Sequence, residues 1–354
     1  MGQLYSSAKV LWFPDRLAAL GRGEPVAPVH VRIKPTNVCN HSCYFCAYRS
    51  SNLSLGEEMK VRDRIPRAKM MEIIDDLVAM GVRAVTFSGG GEPLIYPHIA
   101  EAVRRLDRGG IKVATLTNGS RLLGKVADAF AECATWVRVS IDGWDGESYA
   151  RYRDVKRSEF DKVLGNLEAF ARRDTDCVLG ASLIVDRDNA ARIHGLCRRL
   201  KACGVRHVKI APCIVSNDGR ESNAYHAAIT PVVRDQIAAA AELADEGFEI
   251  VDHYHGLAER FDKPYDWCPF LHYLTVIGAD CTVYTCQDKA YTRGGVLGRL
   301  EGRRFGEFWF SPETQRALRR LDPRTECRHH CVAEAKNRLL IDYLSIDPAH
   351  AAFA

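Results

Sequence analysis

The chain has 354 residues, 47% of them hydrophobic and 27% charged, which is enough to bury one large core or two moderate ones. A net charge of +4 with no basic run argues against a nucleic-acid-binding protein, and neither a membrane-spanning stretch nor a signal peptide is evident. Thirteen cysteines without a secretion signal fit metal ligation in a reducing cytosol better than a disulfide framework.

Residues 1–28 are predicted to form a short irregular lead-in, too short for an independent domain. From residue 29 to about 215, strand-like apolar runs alternate with helical patterns. Six strands that alternate with helices imply parallel β/α units joined by right-handed crossovers, and therefore an α/β fold. The predicted strands cover residues 29–34, 84–87, 113–116, 136–141, 180–185 and 207–211.

Three helical patterns lie between these strands. One carries apolar side chains between Phe160 and Phe170, and another between Ile193 and Leu200. The earliest begins at Ile65-Pro66, where proline suits the first turn, and ends near Gly81. It places five apolar side chains on one face: Met70, Ile73, Ile74, Leu77 and Val78.

The C-terminal third differs in composition from the predicted barrel. Residues 216–263 are predicted to be a helical linker with an alanine-rich helix from Val232 to Leu243. From residue 264 to 354, a hairpin pattern around Asp280 predicts a second, smaller domain with a C-terminal tail.

Three cysteines lie close together directly after the first predicted strand. Cys39, Cys43 and Cys46 have the spacing C-x3-C-x2-C. Three thiolates on one loop can hold three irons of a four-iron cluster and leave the fourth iron open, whereas structural iron–sulfur and zinc sites are closed. Two other interpretations are a zinc site with His41 as its fourth ligand and three cysteines that are close by chance.

This spacing resembles the signature of the radical S-adenosylmethionine (radical SAM) superfamily, in which an aromatic residue such as Phe45 precedes the last cysteine. The resemblance implies a partial (β/α)6 barrel and a [4Fe-4S] cluster that the three cysteines hold. It implies that the open iron binds S-adenosylmethionine, which is cleaved reductively to a 5′-deoxyadenosyl radical. It also implies that a flavodoxin- or ferredoxin-like partner supplies electrons.

A glycine-rich element, Gly90-Gly91-Glu92, follows the second predicted strand. Consecutive glycines allow a ligand to approach the backbone closely, and a carboxylate there can pair with an ammonium group. The element resembles the "GGE" motif of the family, which implies that it binds the amino group of S-adenosylmethionine. The alternative is an ordinary glycine turn capped by glutamate.

Polar residues also end the third and fourth predicted strands, at the edge where parallel barrel strands face a reacting centre. Asn118 ends the third strand, and Ser140 and Asp142 end the fourth, where they could hydrogen-bond a ribose or the methionine carboxylate. Arg153 resembles the arginine that many relatives place near that carboxylate. The plain alternatives are an asparagine turn, a strand-end cap and a surface salt bridge.

A second set of cysteines lies near the C-terminus. Cys268, Cys286, Cys327 and Cys331 could close around zinc or a four-iron cluster. Their arrangement resembles the auxiliary-cluster domains called SPASM and Twitch, and their number implies one auxiliary [4Fe-4S] cluster. Relatives commonly have glycine at the hairpin turn where this chain has Cys281, so the choice between Cys281 and Cys286 as ligand stays open.

Two further cysteines are candidate hydrogen-atom donors to a substrate radical. Cys213 lies just past the sixth predicted strand, at the presumed rim of the active site. Cys281 would lie beside the auxiliary cluster. The alternative for each is an inert thiol.

The resemblance implies an enzyme that abstracts a hydrogen atom from its substrate. Because 28 residues before the barrel cannot house a leader-peptide-binding module, we expect a small polar substrate: a sugar, an aminocyclitol or a nucleotide-linked sugar. The expected reaction is oxidation or epimerisation in the cytoplasm, without nucleic acid or membrane as a partner. The alternatives are maturation of a ribosomal peptide and a non-enzymatic, zinc-stabilised binding protein.

Overall fold

A computed structural model of the chain describes residues 5–254, 263–327, 331–351 and 353. Its strands are β1 (His30–Ile33), β2 (Ala84–Phe87), β3 (Lys112–Thr117), β4 (Ala134–Ser140), β5 (Val178–Val185), β6 (His207–Pro212), β7 (Glu249–Asp252), β8 (Leu274–Ile277), β9 (Thr282–Tyr284) and β10 (Val296–Arg299). All ten form one sheet in the order β10-β9-β8-β1-β2-β3-β4-β5-β6-β7.

The helices cover the outer side of this sheet and its C-terminal extension. They are α1 (Pro14–Gly21), α2 (Arg67–Ala79), α3 (Ile99–Arg108), α4 (Gly124–Cys133), α5 (Gly146–Arg153), α6 (Ser158–Ala171), α7 (Ile193–Ala202), α8 (Gly219–Ala227), α9 (Thr230–Ala241), α10 (Phe305–Trp309), α11 (Pro312–Arg320), α12 (Pro323–Glu326) and α13 (Glu334–Leu344). Within the described ranges, none of the helices has the length and apolar content needed to cross a bilayer.

Strands β1 to β6 are parallel and adjacent in chain order, with helices between them. All six predicted strands are present, and the predicted α/β fold is confirmed. Side chains alternate across each strand, so Val31 and Ile33 of β1 are fully buried on the outer face, in one core with Ile73 and Ile74 of α2. The opposite face lines the interior of the barrel.

The C-terminal residues continue the barrel sheet. Strand β8 pairs in parallel with β1, and β9 and β10 follow in antiparallel order. The predicted hairpin around Asp280 is therefore present. The boundary predicted near residue 264 divides the sequence but does not interrupt the sheet, so the C-terminal hairpin is held directly beside β1.

Three expectations need correction. The lead-in is not irregular, because residues Ser7–Trp12 form a 3-10 helix and α1 follows it. Val78 of α2 is 38% exposed instead of joining the apolar face. The predicted linker contains α8, α9 and the additional strand β7, which pairs with β6; its residues 255–262 lie outside the described residues.

Candidate functional site

The loop that follows β1 carries Cys39, Cys43 and Cys46, all half-buried and free of disulfides. Helix α5 anchors the loop, because Ser42 N donates to the carbonyl of Arg153 at 2.9 Å. The three thiols lie within electrostatic reach of one another, and burial raises the pKa of Cys39 and raises that of Cys43 to about 11. Binding of iron would therefore release protons from these thiols.

In the part of the chain that the structure describes, no three His, Cys, Asp or Glu side chains are arranged to hold a single metal ion. His41, the alternative zinc ligand, is buried and packs edge-on against Tyr149. Its Nε2 lies 3.7 Å from a carboxylate oxygen of Glu159. The His41 ring is thus directed at α5 and α6.

The glycine-rich element that follows β2 packs against the beginning of the cysteine loop. A Cβ atom added at Gly91 would lie 2.0 Å from the carbonyl oxygen of Val38, and one at Gly90 would lie 2.3 Å from Asn37 Oδ1. Gly91 N donates to the carbonyl of Thr36, and Glu92 N to that of Val38. Only glycine permits this close approach, so the element and the cysteine loop form one unit.

Glu92 is 2% exposed and joins the ends of β2 and β3. Its Oε1 accepts from Thr117 Oγ1 at 2.6 Å and from Leu94 N at 2.9 Å, and its Oε2 accepts from Asn118 N at 2.7 Å. A carboxylate offers about four acceptor sites, and these protein groups occupy three of them. Glu92 therefore positions the neighbouring backbone, and little of its capacity is left for a ligand ammonium group.

Asn118 connects the end of β3 to the cysteine loop. Its Nδ2 donates to Asn40 Oδ1 at 3.0 Å, and Asn40 Nδ2 donates to Ser120 Oγ at 2.8 Å. Asn40 directly follows Cys39 in the chain. The predicted strand-end asparagine is thus brought beside the first cysteine.

Ser140, Asp142 and Arg153 meet beside the second cysteine. Arg153 is 3% exposed and forms an ion pair with the fully buried Asp142. It also donates to the Ser140 carbonyl at 2.9 Å and, through Nη1, to Cys43 Sγ at 3.7 Å. Its Nε is buried without a hydrogen-bond partner. A ligand carboxylate or another acceptor at this position would satisfy that donor.

Phe45 lies in an aromatic cluster at the same position. Its ring meets Tyr44 edge-on at 5.4 Å, and the Arg153 guanidinium lies over it at 5.8 Å from the ring centre. Tyr44 and Tyr152 both donate to the carboxylate of Asp186, Tyr152 at 2.6 Å. The sequence analysis missed this carboxylate, which joins the cysteine loop to the end of β5.

The C-terminal cysteines separate into a group of four and Cys281. The pKa of Cys286 is raised by burial, then by Asp288, and further by the thiols of Cys331, Cys327 and Cys268. Burial also raises the pKa of Cys268 to about 12. These four thiols lie within electrostatic reach of one another, as the ligands of one auxiliary centre would.

Cys281 lies at the turn between β8 and β9 with φ at 58°, the left-handed region that favours glycine. Burial raises its pKa to about 11, and its strongest charged neighbours are Lys69 of α2 and Asp280. It belongs to the same hydrophobic core as Ile73 and Ile74 of α2, on the outer side of the sheet.

Cys213 is buried directly after β6. Its pKa is raised to about 12 by burial, with smaller contributions from Asp186 and Asp142. Cys213 thus lies near the carboxylates that contact the cysteine loop, on the inner side of the barrel.

Lys34 and Tyr48 are two further site residues that sequence reasoning missed. Lys34 Nζ donates to Tyr48 OH at 2.7 Å and to the Gly89 carbonyl at 2.9 Å. The pKa of Tyr48 is raised by burial and also by Cys46 and Cys286, one thiol from each set. The lysine at the end of β1 was the signal available in the sequence, because parallel strand ends face the centre of a barrel.

Residues 33–200 match the sequence model of the Radical SAM superfamily. The chain is 28% identical over 190 residues to the dTDP-4-amino-4,6-dideoxy-D-glucose ammonia-lyase of Streptomyces venezuelae, covering 50% of this chain and 36% of that one. It is 30% identical over 152 residues to the GTP 3′,8-cyclase of Bradyrhizobium diazoefficiens, covering 40% of each.

A third relative is the S-adenosylmethionine-dependent nucleotide dehydratase of Lacinutrix mariniflava, 28% identical over 110 residues, which are 31% of this chain and 22% of that one. The chain thus spans less than half the length of these curated relatives.

Solved structures share the fold. SuiB of Streptococcus suis, bound to precursor peptide SuiA, superposes with a TM-score of 0.63 at 16% identity, over 90% of this chain and 73% of that one. Native anSMEcpe with bound AdoMet gives a TM-score of 0.56 at 15% identity, over 82% of each chain. At these identities the likeness concerns the fold alone.

Proposed function

Because the match over residues 33–200 makes this chain a member of the radical SAM superfamily, we propose that it removes a hydrogen atom from a nucleotide-linked sugar. The outcome is oxidation or epimerisation of that sugar. The proposal places the protein in the cytoplasm, with a flavodoxin- or ferredoxin-type protein as its electron donor.

The arrangement of the cysteine loop carries the proposal. The loop is held at once by the glycine element, by Asn118 and by α5, so its three thiols share one rigid edge with four strand ends. Members of the superfamily use S-adenosylmethionine and a [4Fe-4S] cluster. When bound, these groups supply a carbon radical that removes hydrogen atoms from unactivated C–H bonds.

The residues present fit these groups. Cys39, Cys43 and Cys46 would hold the cluster and leave one iron open. The buried Nε of Arg153 has no partner in the protein and can donate to the carboxylate of S-adenosylmethionine.

Nucleotide-containing substrates are favoured by the curated relatives. The names of the three relatives specify a nucleotide, a dTDP-linked sugar and GTP. Peptide maturation is the second candidate, because SuiB shares this fold and was crystallised with a precursor peptide. Both candidates use the same radical chemistry and differ in what binds inside the barrel.

Oxidation and epimerisation require different protein groups. Epimerisation needs a hydrogen-atom donor, and Cys213 is the thiol near the cysteine loop, whereas the outward position of Cys281 gives its donor role no support. Oxidation needs an electron acceptor, which an auxiliary cluster held by Cys268, Cys286, Cys327 and Cys331 would provide.

The test uses anaerobically reconstituted protein with dithionite and S-adenosylmethionine. dTDP-glucose and UDP-glucose should increase 5′-deoxyadenosine formation, whereas glucose and a synthetic peptide library should not. Mass spectrometry in D2O then distinguishes the products: oxidation removes two hydrogens, whereas epimerisation adds one deuterium at carbon and stops in Cys213→Ala. Stimulation by peptides alone would favour the second candidate, and a colourless protein without iron would favour a zinc-stabilised binding protein.

A further inference from the structure

Three basic side chains occupy inward-facing strand positions of the barrel. Arg32 lies in β1 and Lys34 directly follows it. Both are on the face of the strand opposite the outward-facing Val31 and Ile33. Arg138 belongs to β4, which β2 and β3 separate from β1 in the sheet. The pKa of Arg32 is nevertheless lowered first by burial and further by the charge of Arg138. The two arginines therefore lie within electrostatic reach of each other, and we call Arg32, Lys34 and Arg138 the cationic wall.

No carboxylate of the described chain pairs with the cationic wall. Within the described residues, Arg32 forms no hydrogen bond or salt bridge, and its buried Nε has no hydrogen-bond partner. Arg138 donates through Nη1 to Tyr5 OH at 2.6 Å, and its Nε is likewise buried without a partner. Lys34 donates only to the neutral oxygens of Tyr48 and Gly89.

Two acidic residues on neighbouring elements form no ion pair with the cationic wall. Asp288 lies within electrostatic reach of Arg32 and Lys34, but its carboxylate accepts from Val332 N and from the side chain of Gln287, each at 3.3 Å. Glu249 of β7 is in register with His207 of β6, whose Nε2 lies 3.1 Å from Tyr5 OH. Neither carboxylate neutralises the wall.

A buried cation without a counter-ion is costly, so an anion from outside the chain is the expected partner. Burial, with a smaller contribution from Arg32, lowers the pKa of Lys34 to about 7. Arginine pairs bind phosphate oxygens bidentately, and two arginines within electrostatic reach of each other suit a group with more than one anionic oxygen.

We infer that the cationic wall binds the phosphate groups of the substrate, with Arg32 and Arg138 both contacting the diphosphate. This inference deepens the proposed function and rests on its substrate class. It assigns the inner side of β1 and β4 to the nucleotide part and leaves the strand ends beside Cys43 and Cys213 for the sugar.

Isothermal titration of the reconstituted holoprotein under anaerobic conditions tests the inference. We expect pyrophosphate and dTDP-glucose to bind and citrate and glucose not to bind. Arg32→Gln and Arg138→Gln should each weaken dTDP-glucose binding at least tenfold, and Arg32→Lys should weaken it less. The matched control is Arg206→Gln, which removes an exposed arginine just before β6 and should leave the affinity unchanged.

Three results would overturn the inference. Citrate binding as tightly as pyrophosphate would indicate a carboxylate site, and unchanged dTDP-glucose affinity in both glutamine variants would remove the wall from substrate binding. Lower iron content in Arg32→Gln with unchanged affinity would mean that the arginine serves the auxiliary centre, since Cys286 is also near it. If either Arg32→Gln or Arg138→Gln does not fold, the dTDP-glucose affinity of the other variant tests the inference.

The same experiment separates this inference from the proposed function. Tight binding of dTDP-glucose that depends on Arg32 and Arg138 but gives no extra 5′-deoxyadenosine would contradict the proposed reaction and leave the phosphate site intact. Extra 5′-deoxyadenosine with no dependence of affinity on these arginines would support the proposed reaction and contradict the phosphate site.

Discussion

Loss of the Arg153 charge should destabilise the barrel strongly, because the Arg153–Asp142 ion pair is inaccessible to water. Their side chains are 3% and 0% exposed. In Arg153→Gln the carboxylate of Asp142 stays buried and keeps one backbone donor, Ile184 N at 2.8 Å. Removing one partner of a buried pair typically costs about 3–5 kcal/mol, because the other charge is left uncompensated.

This free energy corresponds to a measurable shift in the melting temperature. With an unfolding entropy of about 2.1 cal/mol/K per residue, a chain of 354 residues loses about 1.4 °C for each kcal/mol. Arg153→Gln should therefore melt about 4–7 °C below the wild type. The measurement is thermal unfolding of the apoprotein, followed by circular dichroism under anaerobic conditions.

Two further variants make the result specific. Asp142→Asn/Arg153→Gln removes both charges and should cost less than the sum of the single variants. Arg151→Gln is the matched control on the same helix, since Arg151 pairs with Asp188 at 3.5 Å with both side chains exposed, and it should shift the melting temperature by less than 1 °C. A melting temperature of Arg153→Gln within 1 °C of wild type would refute the reasoning.

Three other outcomes are expected. Gly91→Ala should abolish iron incorporation at the N-terminal site, because its Cβ meets the backbone of the cysteine loop, while Gly165→Ala in open space should keep full iron content. Cys286→Ala should lower iron from about eight to about four per chain, and Cys281→Ala should not. Burial lowers the pKa of His207 to about 4, below the unfolded value near 6.5. The neutral ring therefore stabilises the fold above pH 6.5, and this contribution is lost as the pH falls through 4; urea unfolding at pH 4 and 7 should show that His207→Gln reduces the loss by up to about 3 kcal/mol.

The sequence allowed the barrel strands to be predicted because each is a short apolar run between helices of regular period. It did not reveal β7, whose four residues Glu249–Asp252 are half polar and become a strand only by pairing with β6. The lead-in is helical because Val10 and Leu17 pack against Leu340 of α13, a contact across most of the chain. The local sequence pattern of the N-terminal residues does not indicate a packing partner this distant in the chain.

The candidate site follows the same division between local and distant information. The predicted polar residues lie together because the ends of parallel strands share one edge. Their individual roles depend on partners distant in the chain: Glu92 is occupied by the end of β3, and Arg153 is neutralised by Asp142. The left-handed backbone at Cys281 occupies a turn position that favours glycine, whereas the pKa of Cys286 is raised in part by the other three C-terminal thiols.

The continuous sheet accounts for the position of the two thiol sets. Strand β8 lies parallel to β1, so the hairpin that ends in Cys286 stands beside the strand that leads to Cys46. Cys46 and Cys286 both contribute to raising the pKa of Tyr48. The Tyr48 hydroxyl donates to the Gln287 carbonyl at 3.4 Å and accepts from Lys34. A substrate that contacts Lys34 would therefore lie between the two centres.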